Sequence, residues 1–169
     1  MNDLRIEPLR DDHALETFSC GENLIDVWLR RHAIKNQTTG ASRTFVAVTA
    51  SERVVGFYSL ASGNIAATVS TGRFRRNMPD PIPVVVLGRL AVDTEYQGRG
   101  ISRIMVGDAI LRTAQAADIL GIRGIVVHAL RPDLNAFYTA LGFTQPHPTT
   151  NLLMITLSDA LAAINAHSE

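Results

Sequence analysis

The sequence has one cysteine, one lysine and no long apolar run. Among its 169 residues the only thiol is Cys20. A lone thiol can build neither an internal disulfide framework nor a cysteine-based zinc cluster. No apolar stretch approaches the roughly 18 residues that a membrane-spanning helix needs. The N-terminus lacks a basic stretch followed by an apolar one, so no secretory signal is expected. The histidines are scattered without ligand spacing, and no metal is expected. The expectation is a soluble cytoplasmic protein of one domain, long enough for a real core.

Lysine is limited to Lys35, beside fifteen arginines. The formal net charge is zero, yet the charges are unevenly placed. Residues 1–26 carry Arg5 and Arg10 against seven acids. Residues 27–79 carry Arg30, Arg31, Lys35, Arg43, Arg53, Arg73, Arg75 and Arg76 against Glu52 alone. Two readings stay open. The bias can be compositional, on a solvated face. It can also mark a surface for a polyanion, because the planar guanidinium fork matches phosphate.

Periodicity gives a coarse map. Leu4–Leu9 alternates and reads as a strand. Glu22–Asn36 reads as a helix, with Leu24, Val27 and Trp28 on one face. Thr44–Thr49 and Val54–Ala61 flank the polar turn Ala50–Arg53 and read as a hairpin. Val69–Pro83 holds Gly72, three prolines and three arginines and reads as a long surface loop. Val84–Val92 is almost wholly apolar and reads as a buried central strand, interrupted at Gly88 and Arg89. Ile101–Leu120 reads as a helix ended by Gly121, with Ile101, Ile104, Met105 and Leu111 on one side. Gly124–Leu130 reads as a buried strand that includes His128 as a satisfied core histidine. Asp133–Leu141 reads as a helix closed by Gly142. Leu152–Leu157 is a last strand, and Ser158 caps a last helix. This order predicts an α+β fold, a mixed sheet with helices on its faces.

Chemistry concentrates in Gln97-Gly98-Arg99-Gly100-Ile101-Ser102, between a strand and a helix. Glycine lets a backbone approach a ligand closely. Free N–H groups and the dipole at a helix start favour an anion, and a pyrophosphate fits. A phosphate-binding P-loop would need Gly-Lys-Ser/Thr, which is absent. A dinucleotide fingerprint would need glycine where Arg103 stands. A plain tight turn is the remaining alternative. The segment resembles the acyl-CoA loop of the GNAT acetyltransferases, Gln/Arg-x-x-Gly-x-Gly/Ala, with Gln97, Gly100 and Ser102 at its key positions. Ser102 departs from the usual Gly or Ala but is small.

Asn135-Ala136-Phe137-Tyr138-Thr139-Ala140-Leu141-Gly142-Phe143 resembles a second signature of that family, Asn-x-x-Phe-Tyr-x-x-x-Gly-Phe. Core packing explains Phe137, Leu141 and Phe143 but not Asn135 and Tyr138. The resemblance implies a mixed, mostly antiparallel sheet, helices on both faces, and two central strands that splay to admit acetyl-CoA. It implies Tyr138 as general acid to the leaving thiolate and Asn135 as a contact to pantetheine. Backbone groups of Leu90, Ala91 and Val92 would hold the cofactor, and Gln97, Gly98, Arg99, Gly100, Ile101 and Ser102 its pyrophosphate. No general base stands out. Asp93 and Glu95 lie near the strand end but can be turn residues. Cys20 reads as a packed residue, not a nucleophile.

Outside the cofactor half, Phe18-Ser19-Cys20-Gly21, Leu24, Trp28-Leu29, Asn36-Gln37 and Ser42-Arg43-Thr44-Phe45-Val46 resemble the GNAT toxins of bacterial toxin–antitoxin modules. Met78–Pro83, Leu87–Asp93 and Gly121–Gly124 do as well. That likeness implies acetylation of the α-amine of aminoacyl-tRNA and a block of translation. It further implies a homodimer and a ribbon-helix-helix antitoxin. Arg43, Arg73, Arg75, Arg76 and Arg89 are then candidates to bind tRNA. Two alternatives stay open: a GNAT enzyme for a small amine or a protein N-terminus, and a non-catalytic acyl-CoA-binding regulator.

Overall fold

The computed structural model describes residues 3–167. Six strands form one sheet in sequence order: β1 (Arg5–Pro8), β2 (Arg43–Val48), β3 (Val54–Ile65), β4 (Ile82–Val92), β5 (Gly124–His128) and β6 (Leu152–Thr156). The pairs β1–β2, β2–β3 and β5–β6 are antiparallel, and β4–β5 is parallel. The helices are α1 (Asn23–Arg31), α2 (Ala33–Thr39), α3 (Gly72–Arg75), α4 (Ile101–Ala117), α5 (Asp133–Ala140) and α6 (Leu157–His167). This is the expected α+β class, with a mostly antiparallel mixed sheet.

Two compact units share the chain. The first comprises Met1–Ala61 and Gly88–Asp108. Its core joins Leu9, Phe18, Trp28, Leu29, Val46, Val48, Phe57 and Ala91. Phe57 is the centre, with Phe18 edge-on at 5.6 Å and Trp28 stacked at 6.1 Å. On β2 and β3, Phe45 and Tyr58 are register partners and stack at 5.2 Å, a cross-strand pair of the kind that stabilises a sheet. The Tyr58 hydroxyl donates to Asp108 of α4. Gly56 lets α4 lie close to β3, because a Cβ there would meet Met105 Sδ at 3.0 Å.

The second unit comprises Ser62–Leu87 and Ala109–Glu169. Its core joins Phe74, Ile82, Val84, Val126, Leu152 and Met154. Gly124 sits where no side chain fits: a Cβ would come within 2.1 Å of the Ile155 carbonyl oxygen. Gly142 has φ +103°, the left-handed residue expected just past α5.

Several elements depart from the sequence reading. The helix expected over Glu22–Asn36 is two helices, because His32 (φ −122°) breaks the run between α1 and α2. Leu24 is 85% exposed, and the buried face of α1 carries Asp26, Trp28 and Leu29. On α4 the buried stripe is Ile101, Met105, Val106, Ala109 and Ile110, whereas Ile104 and Leu111 are exposed. The helix ends at Ala117, short of Gly121. His128 is exposed at the end of β5, not a core histidine. The last helix begins at Leu157 and is capped by Thr156, whose hydroxyl accepts from the Asp159 amide at 3.1 Å. The segment read as one surface loop carries α3, and β4 already starts at Ile82.

Candidate active site

The first unit presents the glycine loop. Gly98 and Gly100 both have φ +80°, a left-handed conformation that L-residues avoid, and a Cβ at either would meet nothing within 4 Å. Glycine is therefore demanded by the backbone itself, and the surroundings are open. The first helical bond of α4 runs from the Ile104 amide to the Gly100 carbonyl. The amides of Ile101 and Ser102 precede it, in the first turn where helix N–H groups point outward from the helix start. The helix is long enough, at 17 residues, for its dipole to favour an anion at this end. Arg99 lies with its guanidinium 4.7 Å from the Tyr96 ring, adding positive charge beside the loop.

Gln97 has a different task from its neighbours. Its side-chain amide donates to the Val92 carbonyl at 2.9 Å and to the Cys20 carbonyl at 3.1 Å. It braces the loop to the end of β4. Leu90, Ala91 and Val92 lie on the part of β4 that outruns its partner: pairing with β5 ends at Leu87–Val127, while β4 continues to Val92. Asp93 is buried and fully engaged, accepting from the amides of Ser19 and Glu95 and facing Arg53 at 3.5 Å. Glu95 pairs with Arg53 at 2.8 Å. Both acids thus act as turn residues. Burial pushes the Cys20 thiol up to about 11, so it is protonated at neutral pH and is no nucleophile.

The second unit carries Asn135 and Tyr138 on α5. Tyr138 is 5% exposed, with Phe137 and Phe143 edge-on to its ring at 5.0 and 5.5 Å. Its hydroxyl has no hydrogen-bond partner among the described residues. Burial pushes its pKa up to about 12, so it stays protonated and able to donate. The Asn135 Oδ1 atom is buried without a partner among the described residues, which fits a ligand N–H donor such as a pantetheine amide.

The candidate arginines differ in freedom. Arg73 forms a two-pronged pair with Asp159, both contacts 2.6 Å. Arg75 donates to the Ser70 carbonyl at 2.7 Å. Arg76 is exposed and has no partner among the described residues. Arg43 is exposed and donates to the Gln37 carbonyl at 2.8 Å. Arg89 is half-buried over Trp28, 4.0 Å from the ring centroid. Sequence reading missed the residues that fix α3. Arg123 donates to the carbonyls of Phe74 (2.8 Å) and Arg73 (2.7 Å), and Asp159 holds Arg73. Only Gly124, next to Arg123 and set against neighbouring backbone, could have signalled a close approach there. No group of His, Cys, Asp and Glu among the described residues could hold a metal ion. No helix among them is long and apolar enough to cross a membrane.

Comparison with known proteins bears on this geometry. An acetyltransferase (GNAT) domain matches residues 40–145, more than half of the chain. The chain belongs to the GNAT acetyltransferases. This GNAT acetyltransferase is 48% identical over 157 residues to a tRNA-acetylating toxin of Mycobacterium tuberculosis (strain ATCC 25618 / H37Rv), covering 92% of the chain and 93% of that protein. It superposes on AtaT complexed with acetyl-methionyl-tRNAfMet with a TM-score of 0.85 and 29% identity, covering 99% and 100% of the two chains. A tyrosine-to-phenylalanine mutant of AtaT, bound to the C-terminus of the antitoxin AtaR and acetyl-CoA, matches with a TM-score of 0.79 and 27% identity, covering 99% of each chain.

Proposed function

We propose that this GNAT acetyltransferase is a one-domain toxin that moves the acetyl group of acetyl-CoA onto the α-amine of aminoacyl-tRNA and so blocks translation. The observation that carries the reading is the near-full-length likeness to a tRNA-acetylating toxin, together with a site chemistry that suits a weakly basic amine. Among the described residues, the acids at the end of β4, Asp93 and Glu95, are both engaged and neither stands ready as a general base. An α-amine has a pKa of about 7.7–8.0, far below the roughly 10.4 of lysine, and next to an ester it is lower still. Such an amine attacks without help.

The amine nitrogen attacks the thioester carbonyl, the C–N bond forms and the C–S bond breaks. The electron pair leaves on sulfur, where Tyr138 supplies a proton. The amine's own proton goes to solvent, from which Tyr138 is reprotonated. The amides at the start of α4 and the backbone of Gly98–Gly100 hold the pyrophosphate. Gln97 keeps that loop on β4, whose peptide groups at Leu90–Val92 face the pantetheine and polarise the carbonyl. Asn135 accepts from a pantetheine amide. Arg75 and Arg76, on and beside α3, meet tRNA phosphates, with Arg43 nearer the acceptor end. The protein works in the cytoplasm as a homodimer. A small ribbon-helix-helix antitoxin neutralises it through an acidic tail that folds over the arginines.

Incubation with labelled acetyl-CoA and total charged tRNA tests this. Label should appear as N-acetyl-amino acid released from tRNA by mild base. Tyr138→Phe should lower turnover by roughly 10²–10⁴-fold with little change in acetyl-CoA affinity. Turnover should rise with pH as the amine loses its proton, with no fall from Tyr138, whose proton is held up to about 12. Label confined to small amines, with turnover indifferent to salt, would favour an ordinary acetyltransferase instead.

A further inference from the structure

Arg89 is a half-buried cation without an anion. Its guanidinium lies 4.0 Å from the centroid of the Trp28 ring, and Trp28 stacks in turn on Phe57, with 12° between the ring planes. Trp28 is 9% exposed and Phe57 is fully buried. Trp28 thus contacts both the guanidinium and the buried Phe57 ring. Arg5, Arg10, Arg53, Arg73 and Arg131 each face a carboxylate. Arg89 has neither ion pair nor hydrogen bond among the described residues. Burial alone lowers its pKa, with no acid to offset it. A charge drawn partly out of water and left unpaired is costly unless something completes it.

Trp28 engages the guanidinium through its ring and leaves the N–H donors, which lie in a planar fork, without a hydrogen-bond partner among the described residues. That fork suits two oxygens of one phosphate. Gly88, the preceding residue, leaves room for Ser59, whose Oγ would stand 2.9 Å from a Cβ there, so β4 runs close to β3 beside Arg89. Leu90 follows directly, on the stretch of β4 that the proposed function assigns to the thioester. An anion on Arg89 therefore belongs to the acceptor, close to its reacting amine. In an aminoacyl-tRNA the nearest anion to that amine is the phosphodiester on the 5′ side of the terminal adenosine.

We propose that Arg89, held against the Trp28 ring, receives that last phosphodiester and so seats the aminoacyl ester for attack. The proposal rests on the tRNA reading. The test is kcat/KM for natural charged tRNA against charged tRNA whose last phosphodiester is a neutral methylphosphonate. With the unaltered enzyme the neutral linkage should lower kcat/KM by roughly 10–100-fold, the size of a charge-assisted hydrogen bond. In Arg89→Gln that ratio should shrink to within about threefold, whatever the variant does to the common level. Arg89→Lys keeps the charge and the packing stem but loses the fork, and should give an intermediate ratio. It also serves if the Gln variant does not fold. The same penalty in the variants as in the unaltered enzyme, or no penalty in the unaltered enzyme, overturns the proposal. So does loss of acetyl-CoA binding in Arg89→Gln with the penalty retained, because the anion would then be the cofactor's. So does loss of antitoxin affinity alone, because the fork would then receive a protein carboxylate. If natural charged tRNA is not acetylated at all, the tRNA reading itself has failed, and that measurement alone shows it.

Discussion

Two exposed, glycine-containing segments look alike in the sequence and behave differently in the fold. In Gln97–Ser102 both glycines are left-handed and face open space, and Gln97 is the brace. In the segment from Val69 to Pro83, Gly72 has no such duty. Contacts with distant residues fix that segment instead. Phe74 is 1% exposed in the second unit's core, Thr71 caps α3 by accepting from the Phe74 amide, and Arg123 grips the carbonyls of Arg73 and Phe74. One segment is shaped from within and stays open for a ligand. The other is pinned from without and presents only part of its charge.

The sharpest way to break the comparison is Phe74→Ala. Removing a fully buried phenylalanine costs about 3–5 kcal/mol. In a chain of this size that lowers Tm by about 6–20 °C. Calorimetric melting reads it directly. If the segment were a loose loop, the change would stay within about 0.5 kcal/mol. Gly100→Val should behave in the opposite way. A β-branched residue at φ +80° strains the loop by about 1–2 kcal/mol, so Tm falls by only a few degrees. Acetyl-CoA binding should nevertheless disappear in titration calorimetry, because the bulky side chain keeps the backbone from the pyrophosphate. Retained affinity would leave the loop as a plain turn.

The comparison also explains what could be read from the sequence. Gly98 and Gly100 were legible as a loop of close approach and Gly142 as a helix-ending glycine, because each answers a local backbone demand. The β2–β3 hairpin was legible from its β-branched and aromatic residues on either side of a polar turn. The role of Phe74 was not legible, since one aromatic among Arg, Gly and Pro carries no periodicity. Nor was the break at His32, because nothing in its type forbids a helix. Ile104 and Leu111 show a further limit. Apolar type placed them inside, whereas the packing of Met105 against Gly56 turns α4 so that they face out. In the site, Tyr138 and Asn135 came from the resemblance to the family's Asn-x-x-Phe-Tyr signature. The tasks of Gln97, Arg123 and Asp159 depend on residues far along the chain.

A smaller effect is expected from the charges of the pinned segment. Replacing Arg75 and Arg76 with Ala should leave acetyl-CoA affinity intact and raise KM for charged tRNA. Each phosphate contact contributes about −0.7 to −0.9 to the slope of log affinity against log salt, so the slope should flatten by up to two such steps. An unchanged slope would remove this segment from the RNA surface. Weakened antitoxin binding with normal tRNA kinetics would assign the same arginines to the protein partner.

The smallest effect concerns Arg73, which the sequence groups with Arg75 and Arg76 but the fold sets apart. Its guanidinium is committed to Asp159 in the first turn of α6, and the pair holds the Asp159 carboxyl below its ordinary pKa. Both partners are substantially exposed, so the pair contributes at most about 1 kcal/mol. Asp159→Asn keeps the shape and removes the charge, and Tm should drop by no more than about 4 °C. The same contribution is present above the unfolded carboxylate's pKa and is lost as pH falls through the lower folded value. Arg73, once released, is one more cation on α3. If α3 faces tRNA, the salt slope should then steepen by up to one step of about 0.7–0.9, opposite in sign to the Arg75 and Arg76 change. A slope unchanged by Asp159→Asn but flattened by the double alanine variant would mean that Arg73 points away from the RNA and serves only as a strut.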